Sequence, residues 1–427
     1  MAPVDSPLPA AAETPQPPPS ALGRRNLWAV GLASFFTDVS SEMVLHLLPL
    51  YLAGTLGASL ALVGLIEGGA KALASLLKIA SGGMADRLGH RKWLAVAGYG
   101  LSTAAKPFFA LATAWPGVLA ARWGERVGKG VRTAPRDALL AASVPAGRRG
   151  LAFGLHRAAD TAGAVVGLGI AIAVIVWLGG ARGALDGPTF RTLVWISLVP
   201  AGLGVVALAL LAREPGDRTP ARSPKTVPAT DPTPRLGRAF WSFLAIAALF
   251  ELGDSSDAFL VLRAADVGLS TVEILGALLA FNVVYALASA PAGRWSDRVG
   301  RRQPLALGWL LHAGVYGGLA VASHGSHVAV LIALYGLHRG LTHGVARAWI
   351  ADLVPASRRG LAYGVYAGTI GVLDVPASVL AGVLWQGAFG WGGWGAGAAF
   401  GFGAMCATLA TVLLLGWRFR ATDVSPA

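Results

Sequence analysis

Arg122, Glu125, Arg126, Lys129, Arg132, Arg136 and Asp137 all stand within one otherwise apolar run, residues 116–143. At about 100° of turn per residue they share a helix face roughly 140° wide. Each such charge would cost about 2.5–3.5 kcal/mol or more against hydrocarbon, so the face must line a hydrated or ion-paired interior. Neighbouring runs carry further ionisable groups at helical spacing. Asp38, Glu42 and His46 recur every four residues, and Glu67, Lys71 and Lys78 fall within roughly 40° of one face. Lys106 marks a third run, and His156, Arg157 and Asp160 a fifth. Glu67–Lys71 and Glu125–Lys129 have the i, i+4 spacing of helical ion pairs.

Pairing does not absorb the charge. In the first half Lys71, Lys78, Lys106, Arg122, Arg126, Lys129, Arg132, Arg136 and Arg157 outnumber Asp38, Glu42, Glu67, Glu125, Asp137 and Asp160. A desolvated cationic cavity attracts anions, which makes Arg122, Arg126, Lys129 and Arg157 candidate contacts for a carboxylate, a phosphate or the acid end of a zwitterion. In the second half Glu251, Asp254 and Asp257 are set against Arg339, His343 and Arg347. Asn282, Tyr285, Tyr363, Tyr366 and Asp374 there offer neutral hydrogen bonds. A carboxylate desolvated near a bilayer midplane titrates at raised pH and imidazole titrates near neutrality, so Asp38, Glu42 and Asp160, with His156 as relay, are candidate proton carriers. The competing reading of Asp38 and Glu42 is a purely structural ion pair to the fourth or fifth run.

The elements that hold these groups follow from composition. Of 427 residues 55% are apolar, 13% are charged, and mean hydropathy is +0.60, which is the membrane class. The net charge of +13 is spread over short loops and apolar runs, so nucleic acid is not an expected partner. The single cysteine, Cys406, excludes a disulfide framework and a thiolate metal cluster. There is no Ser/His/Asp arrangement, metal-ligand helix or phosphate-binding loop. Neither enzyme, cofactor nor metal is therefore expected.

Runs long enough to cross about 30 Å of hydrocarbon fall at 27–52, 59–84, 93–112, 116–143, 150–178 and 190–211. They resume at 238–263, 270–295, 303–323, 327–353, 360–387 and 394–417. The expected fold is an all-α membrane protein of twelve transmembrane helices in two pseudo-symmetric six-helix bundles. The domains are a Pro-rich disordered tail (1–23), a first bundle (24–211), a Pro-rich linker (212–237), a second bundle (238–417) and a short tail (418–427). Arg24/Arg25, Arg87/Arg91/Lys92, Arg148/Arg149, the linker arginines, Arg294/Arg298/Arg301/Arg302, Arg358/Arg359 and Arg418/Arg420 all fall on one side. Arg182, Arg191 and Arg263 fall on the other. That bias predicts cytoplasmic termini. The Ala/Gly/Arg-rich composition suggests a bacterial inner membrane, and a monomer suffices for the architecture.

The halves repeat. Val144-Pro-Ala-Gly-Arg148-Arg149-Gly-Leu-Ala-Phe-Gly154 returns as Val354-Pro-Ala-Ser-Arg358-Arg359-Gly-Leu-Ala-Tyr-Gly364. Ser40-Ser41-Glu42 returns as Ser255-Ser256-Asp257. Gly82-Gly-Met-Ala-Asp86-Arg87-Leu-Gly89-His-Arg91-Lys92 returns as Gly293-Arg-Trp-Ser-Asp297-Arg298-Val-Gly-Arg-Arg302. Offsets of 210–215 at three landmarks imply duplication of a six-span unit. The Gly-x-x-x-Asp-Arg-x-Gly loop resembles the signature loop of the major facilitator superfamily, and the resemblance covers nearly the whole chain. Arg126-Val-Gly-Lys129-Gly130 resembles the fourth-span motif of its proton-linked exporters. Gly154, Gly163 and Gly167 match the spacing of their fifth-span motif, with Leu168 where that motif has Pro and its closing Gly-Gly pair absent.

The resemblance implies a secondary transporter working by alternating access, proton-linked and exporting. It also implies a latch in which Asp86 and Asp297, with Arg148/Arg149 and Arg358/Arg359, hold the cytoplasmic side closed. An importer or facilitator of organic anions, and a non-transporting membrane sensor or scaffold, are the alternatives.

Overall fold

Hydrocarbon offers backbone amides no partner, so long apolar runs fold as helices, which satisfy their own hydrogen bonds. The computed structural model describes residues 21–88, 90–145, 149–179, 185–214, 236–355 and 358–417. They form α1 (Ala21–Glu42), α2 (Leu48–Leu50) running into a π turn (Tyr51–Thr55), α3 (Leu60–Leu88), α4 (Arg91–Ala105), α5 (Pro107–Leu111), α6 (Trp115–Ser143), α7 (Arg149–Trp177) and α8 (Gly187–Leu211). The second half comprises α9 (Arg238–Gly253), α10 (Ala258–Asp266), α11 (Thr271–Val299), α12 (Arg302–Val321), α13 (Gly325–Leu353), α14 (Arg359–Gln386) and α15 (Ala396–Gly416). The expected all-α class is what the described residues show. The N-terminal tail was expected to reach residue 23, but helix begins at Ala21; residues 1–20, 215–235 and 418–427 lie outside the described residues.

Eight helices (α3, α7, α8 and α11 to α15) are each long and apolar enough to cross a bilayer. The other four expected runs differ for physical reasons. The charged face of α6 lowers its hydropathy, and three runs are broken rather than continuous. Pro107 has no N–H to continue the ladder, and Lys106 N–H turns back to Thr103 O at 3.1 Å. The first run leaves the helix after Glu42 and restarts with Pro49 in the first turn of α2. The seventh breaks at Asp254, whose φ of −89° and ψ of 80° are not helical. The breaks in the first and seventh runs fall at the repeated Ser-Ser-acid triplets, so the duplication extends to the interruptions. Helix starts show it too: Leu60 and Thr271, Trp115 and Gly325, Arg149 and Arg359 are 210 or 211 residues apart.

Arg25 donates from Nε to Leu211 O at 2.6 Å, and Lys92 N–H to Glu214 Oε1 at 2.6 Å. Arg302 Nε reaches Leu414 O at 2.9 Å. The start of α1 and the ends of α8 and α15 therefore lie at one end, here the terminal end. At the far end Asp186 caps α8, accepting from Thr189 N–H at 2.7 Å.

The apolar core is arranged unequally between the two ends. One cluster joins both halves at the far end, with Met43, Leu47, Leu48 and Val63 against Phe259, Leu260 and Leu262. Towards the terminal end each half has its own cluster, Val30, Tyr99, Leu139 and Leu208 in one, Phe243, Trp309, Trp349 and Ile350 in the other. The longest seam between halves is α3 against α14. A Cβ on Gly68 would lie 2.7 Å from Asp374 O, and one on Gly371 2.7 Å from Ser75 Cβ, so only hydrogen allows this approach. Among the described residues the halves are thus closed together at the far end and share no apolar cluster at the terminal end.

Candidate functional site

The charged face of α6 meets α3 in an ion cluster. Arg122 is 3% exposed and holds Glu67 with two bonds (Nε–Oε1 3.0 Å, Nη2–Oε2 2.6 Å) and Glu125 with a third at 3.0 Å. Arg126 adds a looser pair to Glu125 at 3.4 Å. The expected partners were Lys71 for Glu67 and Lys129 for Glu125. The structure gives both carboxylates to arginines, because a planar guanidinium satisfies a buried carboxylate bidentately where an ammonium does not. Lys71 is thereby released and crosses to the other half, 3.1 Å from Asp374. Asp374, expected as a neutral hydrogen-bonding group, is an ion-pair partner 2% exposed.

Of the proposed anion contacts, Arg122 is consumed by this cluster. Lys129 and Arg157 are exposed and have no ion pair among the described residues. Lys78 and Arg347 are exposed likewise, and Lys78 lies within electrostatic reach of Arg136, Arg157 and Arg347. Lys106 is buried with no ion pair among the described residues and donates to the hydroxyls of Ser40 and Ser41 at the break after α1, while Ser40 donates to Ser197 O at 2.6 Å.

The candidate proton carriers separate into two groups. Glu42, the last residue of α1, pairs at 2.6 Å with His46 in the turn that follows rather than with the fourth or fifth run. His156 and Asp160 are 3.2 Å apart on α7, and His156 Nε2 lies 3.3 Å from Ser34 Oγ, which is 3.1 Å from Tyr99 OH. Asp38 is half-buried, within electrostatic reach of Lys129 and Asp160, with no hydrogen bond among the described residues. Gly163 and Gly167 lie against the backbone of Phe35 and Val39 and let α7 pack closely on α1, whereas Gly154 faces open space.

In the second half, Asp254 accepts from Tyr335 OH at 2.9 Å and pairs with Arg339 at 3.2 Å; Asp257 pairs with Arg339 at 3.1 Å. The expected opposition of Asp254 and Asp257 to Arg339 is seen, but His343 faces Tyr285 OH at 3.4 Å. Tyr363 donates to Arg347 O at 3.1 Å, Asn282 to Leu278 O at 3.0 Å, and Tyr366 stacks on Phe243. Sequence reading missed His312, His338, Tyr316 and Tyr335, which pack around Asp254. Their signal was a set of polar rings at i, i+3 and i, i+4 spacing inside apolar runs.

At the terminal end Gly89 and Arg148 lie outside the described residues, as do the side chains of Asp86, Arg87 and Arg149. Gly82 falls within α3, Arg91 opens α4, and Gly293 and Arg298 are in α11. Asp297 pairs with Arg301, which also reaches Asp352 at 3.0 Å; in the sequence Arg301 counts as a loop charge and not as a gating residue. Arg358 stands at the start of α14, and Arg359 donates to Ala351 O at 3.2 Å.

This geometry has known counterparts. The solved inward-facing, occupied form of a bacterial homologue of the human lysosomal transporter Spinster superposes with a TM-score of 0.74 at 17% identity, covering 96% of this chain and 100% of that one. The human organic anion transporter MFSD10 gives 0.65 at 16% identity over 93% and 100%. An uncharacterised MFS-type transporter of Methanocaldococcus jannaschii is 31% identical over 368 residues, 85% of this chain and 89% of its own. The sequence model of the Major Facilitator Superfamily matches residues 30–262 and 258–426. Two matched halves, the repeated loop and the paired helix breaks agree, and the chain is a multi-pass membrane protein that belongs to the Major Facilitator Superfamily.

Proposed function

We propose that the protein is a proton-coupled secondary transporter that moves a small anionic or zwitterionic organic solute by alternating access. The observation that carries this reading is the set of exposed cations, Lys129 and Arg157 with Lys78 and Arg347, left without ion pairs among the described residues where the two halves stand apart. A solvent-filled cleft with low-dielectric walls and such a surplus concentrates anions. MFSD10 is named an organic anion transporter, but its likeness is one of fold, so the anion reading rests on these side chains.

Proton coupling is supported by Asp38, half-buried beside Lys129 and Asp160, and by the continuous path Asp160–His156–Ser34–Tyr99. The terminal end is read as cytoplasmic, in a bacterial inner membrane, with the monomer as working unit. Asp297 and the arginines opening α7 and α14 then form the gate that closes when the terminal end does.

The test is a thermal-shift screen of organic anions against lipophilic cations on detergent-purified protein, followed by flux in proteoliposomes. A ligand at 100 times its Kd stabilises by about 2.7 kcal/mol. Anion hits lost in Lys129→Gln and Arg157→Gln, with flux driven by a pH gradient and abolished in Asp38→Asn, support the reading. Hits confined to cations would overturn the anion assignment, and the sign of the flux distinguishes export from import.

A further inference from the structure

We propose that Asp254, His312 and His338 form a binding site for a divalent transition-metal cation of the zinc class, buried inside the second half. This revises the sequence expectation of no metal and is independent of the proposed substrate. The three side chains come from the α9–α10 break, α12 and α13, and their ligand atoms all lie within 4.8 Å of one another. His312 Nδ1 is 4.0 Å from Asp254 Oδ1. Tetrahedral coordination with metal–nitrogen bonds of 2.0–2.1 Å sets ligand separations of about 3.4 Å. Loading therefore asks the side chains to close by about 1 Å, the scale of a small side-chain rotation.

Three observations point to a ligand rather than to ordinary packing. First, His312 is fully buried, and neither of its nitrogens has a hydrogen-bond partner among the described residues. Such an imidazole carries the desolvation cost of both polar atoms with nothing to offset it. It is held in place by stacking on Tyr316 at 4.0 Å and edge contacts to Phe250 and His338 at 4.8 Å, so its orientation is set without hydrogen bonds.

Second, His338 Nδ1 lies 2.8 Å from Gly308 O. A carbonyl only accepts, so the proton sits on Nδ1 and the Nε2 lone pair is free, which is how metal-bound histidines are oriented by an outer partner.

Third, the charge is right. Asp254 and Asp257 share the one guanidinium of Arg339, leaving a net negative charge beside two imidazoles that are neutral in their metal-binding form. Arg339 contacts Asp254 at Oδ2, while Oδ1 accepts from Tyr335 OH at 2.9 Å and has its second lone pair for a cation on the side of His312, whose Nδ1 is 4.0 Å away. Two nitrogens and one carboxylate oxygen suit zinc, cobalt or nickel rather than calcium or magnesium.

The experiment uses the full chain purified in detergent, stripped with chelator and titrated with Co2+ and Zn2+. One saturable equivalent per chain is expected, with the visible absorption of tetrahedral cobalt and a raised melting temperature. His338→Ala and His312→Ala should each weaken binding at least 100-fold. The His324→Ala/His327→Ala variant removes a separate pair of neighbouring rings (centroids 5.4 Å apart) and should bind as the parent does. The proposal is overturned if the parent shows no saturable equivalent or only the spectrum of hydrated cobalt. It is equally overturned if the equivalent survives both single variants or disappears with His324 and His327. Should either buried-histidine variant fail to fold, the cobalt spectrum and stoichiometry of the parent decide alone.

Discussion

Replacing Asp374 by Asn should open the far end. Lys71 on α3 and Asp374 on α14 pair at 3.1 Å across the seam between halves. Two unit charges at that distance attract by about 5 kcal/mol at an effective dielectric of 20. That gross figure overstates the effect, because 37% of the Lys71 side chain is exposed and Asp374, 2% exposed, has already lost its hydration. Solvent screening and desolvation reduce the net contribution to about 1–3 kcal/mol. The pair exists only while the seam is closed, so its loss shifts the balance between conformations by about 5- to 150-fold. Spin labels at Trp177→Cys and Val321→Cys, both highly exposed at the far end, report the separation by pulsed electron resonance in nanodiscs, with the buried Cys406 replaced by Ala. Asp374→Asn and Lys71→Met should each add a longer distance, and the double variant should add little more than either. An unchanged distribution in both singles, or strictly additive effects, would refute the view of the pair as a far-end lock.

Other perturbations separate structural from functional charge. Arg122→Met leaves Glu67 buried without its bidentate partner and Glu125 with only the looser Arg126, and should cost about 3–5 kcal/mol, read as a lowered Tm in detergent. Lys129→Gln, at an exposed position, should stay within about 0.5 kcal/mol of the parent while weakening anion binding in the same thermal assay. Gly68→Val drives a side chain into the Asp374 backbone and should lengthen the spin-label distance, with an overpacking cost of about 1–3 kcal/mol. At the start of α8, the Thr189 hydroxyl and N–H hold the Asp186 carboxyl below its ordinary 3.8. Its folded value lies under its unfolded one, so the cap stabilises above about pH 4 and is lost as pH falls through the folded value. Asp186→Ala should cost about 1 kcal/mol at pH 7, and the difference from the parent should vanish in acid unfolding scans.

The helices and the duplication were legible because each rests on a local signal, apolar length in one case and repeated glycine, proline and arginine in the other. The charged face of α6 was legible too, since 100° per residue fixes which side chains share a side. Partners were not. Sequence spacing offers Lys71 to Glu67, but Arg122 approaches from a different helix with better geometry, and Lys71 finds Asp374 more than 300 residues away. His312 and His338 escaped for the same reason, since only the packing of α12 on α13 brings them beside Asp254. The break at Lys106–Pro107 was written in the sequence as a proline within an apolar run. The break at Asp254 was marked only by its likeness to the triplet ending α1.

The unequal apolar core has a thermodynamic consequence. Opening the far end exposes to water the cluster that Met43, Leu47 and Leu48 share with Phe259, Leu260 and Leu262, whereas the terminal-end clusters stay within their own halves. Wetting that surface carries a positive heat-capacity change, so the enthalpy of switching must itself vary with temperature. The conformational equilibrium should therefore follow a curved van't Hoff plot. On cooling, as apolar hydration becomes less unfavourable, the bias towards the far-end-closed form weakens even though every salt bridge is unchanged.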